Sequence, residues 1–125
     1  MLPPATDTLL DPVTMIDGFR LAGLIDASTG MVLASARDVC DLSLATAAAG
    51  ATDIAGVLSH LTGAMAVSDE LEDVMVTFSN HFQLIRTLQL TPAQTVILLV
   101  ILDRGRANLA LARHTIRNFC ASFAA

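Results

Sequence analysis

The residues of this 125-residue chain whose types could do chemistry are few and scattered. His60, His81 and His114 fall on three different segments without the spacing that holds a metal, so no metal centre is expected. Cys40 and Cys120 are far apart and show no paired-cysteine motif. They read as small hydrophobes of a reducing compartment rather than as nucleophiles. Asp26 and Asp103 each close an apolar run, where acids usually cap turns and helix starts, and no second carboxylate stands beside either as an acid–base partner. Glu70, Glu72 and Asp73 form an acidic cluster whose spacing fits no calcium loop. The chain has no nucleophile elbow, no phosphate-binding P-loop and no dinucleotide fingerprint. The expectation is a non-enzyme without a cofactor.

The arginines are more suggestive. If a helix runs from Gly105 to Ser122, then Arg106, Arg113 and Arg117 fall within about 40° of one another on it. That stripe could dock an acidic partner surface, or be solvated beside the core with Arg104 paired to Asp103. Arg104 and Arg106 would sit at the helix start, where the macrodipole disfavours cations. Charge is also uneven along the chain. Residues 1–73 hold eleven of the twelve acids and two arginines, while residues 74–125 hold Asp103 and five arginines. Such halves either steer a complementary protein or are interleaved by the fold. No basic run or aromatic platform points to nucleic acid.

Composition places these residues on one domain with an ample core. The chain is 54% hydrophobic, and apolar surface is expected to remain for a partner. The first residues, MLPPATDTLLD, lack the basic and apolar regions of a secretory signal, and the longest apolar run, Val96 to Leu102, is too short to span a bilayer. A cytoplasmic location without membrane insertion is expected.

Periodicity predicts an irregular arm with a short helix over 1–17, in which Asp11 caps and Pro12 opens the first turn. One domain then covers 18–125. Phe19–Asp26 and Met31–Ser35 read as a hairpin around Gly30. A long helix covers 41–66, capped by Asp38 or Asp41. Val74–Ser79 and Phe82–Leu88 form a second hairpin. Thr95–Leu102, apolar on both faces, belongs in the middle of a sheet. The last helix follows. The class is α/β (α+β), a five-stranded, mostly antiparallel sheet between the long helix and the C-terminal helix.

The long helix has two unlike faces. Leu44, Ala47, Ala51, Ile54, Leu58, Leu61 and Met65 make its expected core stripe. The other face carries Ala45, Ala49, Thr52, Gly56, Ser59 and Gly63, with Asp53 and His60 nearby. Glycine costs about 0.8–1 kcal/mol against alanine inside a helix, and small residues let a second helix approach closely. This face is therefore a candidate dimer interface, the alternative being a plain alanine-rich exposed surface. Strand 74–79, with Val74, Val76 and Phe78, is a candidate free edge that invites pairing, with the preceding acids either guarding it or forming a solvated turn.

The order and pattern of these segments resemble the roadblock / dynein light chain family. The likeness rests on the hairpin GFRLAGLIDASTGMVLAS, the alanine-rich helix, the paired strands VMVTFSNHFQLIRTL, and ILLVILDRGRANLALAR, and covers about residues 18–120. It implies a roadblock/longin/profilin-like fold and a homodimer built by edge-strand pairing and packing of the long helix on its mate. It also implies a scaffold or regulator of small Ras-like GTPases; some bacterial members activate such GTPases without donating a catalytic residue. Partner contacts would then fall at Asp53, His60, Arg106, Arg113 and Arg117. The family usually opens with a full amphipathic helix. Here that segment is short and broken by Pro12, which is expected to leave part of one sheet face open. A small-molecule-sensing, profilin/PAS-like module using that gap is the alternative reading.

Overall fold

Seven consecutive apolar residues with no polar face can only be satisfied in the centre of a covered sheet. Residues 96–102 are all buried there, in strand β5 (Gln94–Asp103). The computed structural model describes residues 9–37, 42–65 and 71–123, with the backbone alone at 64 and 65. Its sheet also contains β1 (Phe19–Asp26), β2 (Val32–Arg37), β3 (Val74–Thr77) and β4 (His81–Thr91). The order is β2-β1-β5-β4-β3 and every neighbouring pair is antiparallel. Among the described residues the edges are therefore β2 and β3.

Alternation along the strands sends side chains into two cores. On one face α2 (Leu44–Met65) covers Leu21, Ile25, Ile85, Ile97, Leu99 and Ile101. On the other, α1 (Asp11–Thr14) and α3 (Leu109–Ala121) cover Leu24, Leu84, Leu98, Val100 and Leu102. Two glycines take positive φ where turns require it: Gly18 at +86° and Gly30 at +76°. At Gly18 the need is also steric, since a Cβ there would lie 3.0 Å from the Asp103 carbonyl oxygen.

Several expected boundaries shift for identifiable reasons. Leu10, not Asp11, occupies the N-cap position of α1, so Asp11 lies in the first turn and makes no side-chain cap. Helix α2 starts at Leu44 because the Ser43 hydroxyl accepts the Thr46 N–H; Asp38 and Asp41, expected to cap it, lie outside the described residues, as do Cys40 and the acidic connection from Ser68 to Glu70. Helix α3 starts at Leu109, not near Gly105. The Asp103 carbonyl accepts the Arg106 and Ala107 N–H groups and its carboxylate accepts that of Gly105, which holds 103–107 as a turn. Asn108 then caps the helix by accepting the Leu111 N–H.

The largest departure is the roll of α2 about its axis. The buried positions are Ala48, Ala51 and Ala55, roughly 60° from the centre of the expected stripe at helical spacing. Leu44, Ala47 and Ile54 are only partly buried and Leu61 is exposed. The sheet beneath is crowded with leucine and isoleucine, so only the alanine face lets the helix backbone settle close to it. The space over Gly23 is filled by Leu44, whose Cδ1 lies 3.1 Å from where a Cβ would stand.

Candidate interaction surface

Rolling α2 onto its alanines turns apolar and glycine positions outward. Ala45, Ala49, Gly56, Ser59 and Gly63 are exposed, together with Asp53 and His60. A Cβ at Gly50, Gly56 or Gly63 would meet nothing within 4 Å. Nothing in the described chain therefore asks for glycine at these three costly positions. Val57 is 68% exposed and Leu61 48%. Val57 carried no assignment from sequence, and Leu61 was assigned to the core. The available signal was spacing: Val57 and Leu61 are four residues apart and form one apolar ridge on the helix.

Thr52 is half-buried, and its hydroxyl donates to the Ala48 carbonyl at 2.8 Å. With Gly56, Ser59 and Thr62 it lines a groove of about 500 Å³ over the β4–β5 end, where Thr87 and Thr95 face it and Ala55 and Ile97 form its floor. The small stripe is thus divided between open solvent and this groove.

The β3 edge lies at the end of the sheet. Val74 and Val76 are half-buried against the α2-side core, and Met75 is exposed. Phe78 sits just past the strand, where it stacks on His81 with ring centroids 4.4 Å apart. The Arg104 guanidinium donates to the Phe78 carbonyl at 3.1 Å and lies over Phe82. Asp73, just before β3, is held by a forked pair of bonds from Arg113 at 3.0 and 3.1 Å.

These pairings reorganise the arginine set. Arg113 is engaged within the chain, and Arg106 precedes α3 rather than lying on it, so the three-arginine helical stripe does not form. Asp103 pairs with Arg20 at 3.1 Å, not with Arg104. Both ion pairs join the acidic and the basic parts of the sequence, which interleaves the two halves. Arg117 is exposed on α3, on the opposite face of the sheet from Asp53 and His60. The expected partner residues therefore belong to two separate surfaces.

The residues with chemical potential stay apart. His60 is on α2, His81 on β4 beside Gln83, and His114 on α3 beside Asn118. Among the described residues no three metal-ligating side chains gather. Burial raises the thiol pKa of Cys120 and keeps it protonated. The Asp26 carboxyl is held below its ordinary pKa by the Thr29 hydroxyl and the Ser28 N–H, which tie down the β1–β2 turn. Asp103 is lowered likewise by the Gly105 N–H and by Arg20. These two acids organise turns. Between α1 and α3, Pro12, Met15, Ile16 and Leu111 border a cleft of about 160 Å³. Among the described residues no helix is long and apolar enough to cross a membrane.

No family profile matches the sequence, and no curated protein matches it. Solved structures do match. Myxococcus xanthus MglB is 16% identical with a TM-score of 0.79, covering 97% of this chain and 93% of that one. An MglB with a tetrameric arrangement is 18% identical with a TM-score of 0.79, covering 99% and 91%. A roadblock/LC7 domain from Streptomyces avermitilis is 16% identical with a TM-score of 0.74, covering 93% and 92%. The fold of this chain is the roadblock/LC7 fold.

Proposed function

We propose that two copies of this chain pair through the outer face of α2 and the edge of β3, and that the pair is a non-catalytic regulator of a small Ras-like GTPase. The observation that carries the pairing is the outer face of α2: Val57 and Leu61 are exposed beside Gly50, and Gly56 and Gly63 lie further round the helix, each glycine with open space where a side chain would be. A mate's helix laid there buries the apolar residues and makes use of the glycines. The β3 edge, with Met75 and Phe78 exposed, offers the same mate unpaired backbone groups. The tetrameric arrangement named for one structure of the same fold supports self-association as a use of this architecture.

The GTPase reading rests on the roadblock resemblance and shared fold. The separation of the three histidines and the engagement of Asp26 and Asp103 in turns support a role without chemistry of its own. The paired α2 helices are the docking platform, bordered by Asp53 and His60. Stimulation of GTP hydrolysis then comes from ordering the partner's own switch loops. The sensor alternative needs a ligand pocket beside α1; the cleft between α1 and α3, at 160 Å³, is about half the smallest usual ligand site, and the 440 Å³ cleft beside Thr14 and Phe19 is wide open to solvent. A cytoplasmic setting fits both the free thiol of Cys120 and a nucleotide-dependent partner.

Light scattering at micromolar concentration should give about twice the 13.1 kDa chain mass. A monomer at every concentration overturns the pairing. GTP turnover by a co-purifying GTPase should survive Arg→Ala changes at Arg104, Arg106, Arg113 or Arg117 with at most modest loss. A loss of about a thousandfold from one of them, with binding intact, would identify an arginine finger.

A further inference from the structure

The second sheet edge, β2, differs from β3 in what surrounds it. β2 pairs with β1 on one side and, among the described residues, has no strand on the other. Proteins normally guard such an edge with charge, proline, shortness or a bulge. β3 is four residues long and follows Glu72 and Asp73. β2 is six residues long, and positions 27–36 contain neither a charge nor a proline. The irregularity in its pairing with β1 lies at Leu24/Ile25, at the turn end. Along the rest of the edge Ala34, Ser35 and Ala36 are small enough for another backbone to reach strand spacing. Met31, 64% exposed, and Leu33, 43% exposed, supply apolar contacts at the far end.

At its C-terminal end the same edge runs into charge. Arg37 and Arg106 line an open cleft of about 440 Å³ with Thr14, Gly18 and Phe19, and Asp17 stands on the same wall. The Arg37 guanidinium donates to the Leu42 carbonyl at 3.0 Å, which steadies it without neutralising it. Neither arginine forms an ion pair among the described residues, whereas Arg20 and Arg113 both do. Among the described lining residues two arginines stand against Asp17, and Arg106 also acts on the nearby Asp103 carboxylate, which Arg20 already pairs.

We propose that the β2 edge and the Arg37–Arg106 cleft form one site, which takes an extended peptide segment of a partner carrying acidic residues beside a short uncharged run. Main-chain bonds to β2 supply affinity that any extended sequence can use, and the arginine pair sets polarity and register through carboxylates. A second copy of this chain fits less well. Two-fold pairing of β2 with β2 is antiparallel, so each Arg37 would lie against the mate's uncharged Met31–Val32 end and meet no carboxylate. The site is at the opposite edge of the sheet from β3, so it stands or falls separately from the α2–β3 pairing.

The test uses the full chain and a fluorescein-labelled peptide of two glutamates followed by alternating valine and threonine, read by fluorescence anisotropy. Saturable binding is expected. It should weaken about tenfold or more with Arg37→Glu plus Arg106→Glu, or when lysines replace the glutamates of the probe. It should vanish when alternate backbone nitrogens of the probe are methylated, a change that leaves the protein untouched. Arg117→Glu should leave it unchanged. The absence of saturable binding overturns the proposal, as does binding indifferent to backbone methylation or to both arginines. If Leu33→Lys halves the mass of the protein in light scattering without any peptide, a second copy occupies the edge and the proposal fails.

Discussion

Helices α2 and α3 cover opposite faces of one sheet, and they differ in the size of the side chains each buries against it. In α3, Ala112, Ile116, Phe119 and Cys120 recur at helical spacing and are buried, while Arg113, His114, Arg117 and Asn118 face solvent. Asn108 caps its start. In α2 the buried residues are three alanines, and the outer face carries glycine, Val57 and Leu61. A buried isoleucine or phenylalanine contributes about 1.5–3 kcal/mol by area, and an alanine far less. The difference teaches that α3 is held by what lies beneath it, while α2 gains little from the sheet and has apolar surface still to cover.

The contrast is broken first at Ile116. Ile116→Ala should cost about 2–5 kcal/mol of unfolding free energy, from lost burial and an unfilled cavity. A urea titration measures it, and a loss below about 1 kcal/mol would mean that α3 is not anchored as described. Gly56→Glu probes the other helix. If a mate packs there, a charge placed in a desolvated contact should weaken association by on the order of 3 kcal/mol, seen as dissociation in a sizing run. If the face is solvated, the same change should raise the melting temperature, because glutamate favours helix over glycine by up to about 1 kcal/mol. The two readings have opposite signs.

Smaller effects sharpen the picture. Arg113→Ala removes the forked contact to Asp73 that ties α3 to the start of β3. Arg113 is exposed, so the loss in stability should not exceed about 1 kcal/mol and should shrink in high salt. Hydrogen exchange should nevertheless quicken at β3 ahead of β4. The least effect is expected from acid. Asp26 and Asp103 have folded pKa values below the ordinary carboxylate value of about 4. The fold therefore favours their ionised forms. That contribution is complete above the unfolded pKa and is lost as pH falls through the folded values. Melting temperature should decline below about pH 4, and Asp103→Asn should flatten the decline.

Much of the fold was legible in the sequence. β5 announced itself as an uninterrupted apolar run. The β1–β2 hairpin was marked by Asp26 and by Gly30, whose φ is positive as the turn requires. The small outer face of α2 was also legible as a pattern. Its division between solvent and a threonine-lined groove was not, nor was the exposure of Val57. The arginine stripe was misplaced because one interaction, the hold of Asp103 on residues 105–107, moved the start of α3 past Arg106.

What the sequence determined by itself was the order and type of the elements and the central place of β5, because alternation, turn chemistry and hydrophobic runs act between residues near in the chain. Tertiary structure decided the roll of α2 and the pairing of charges. An alanine- and glycine-rich helix has little hydrophobic contrast around its axis, so the bulk of Leu21, Ile25, Leu99 and Ile101 beneath it selects the face that fits. Arg20 meets Asp103 across 83 positions and Arg113 meets Asp73 across 40. Such pairs exist only once the sheet has brought their strands and α3 together, and no local pattern encodes them.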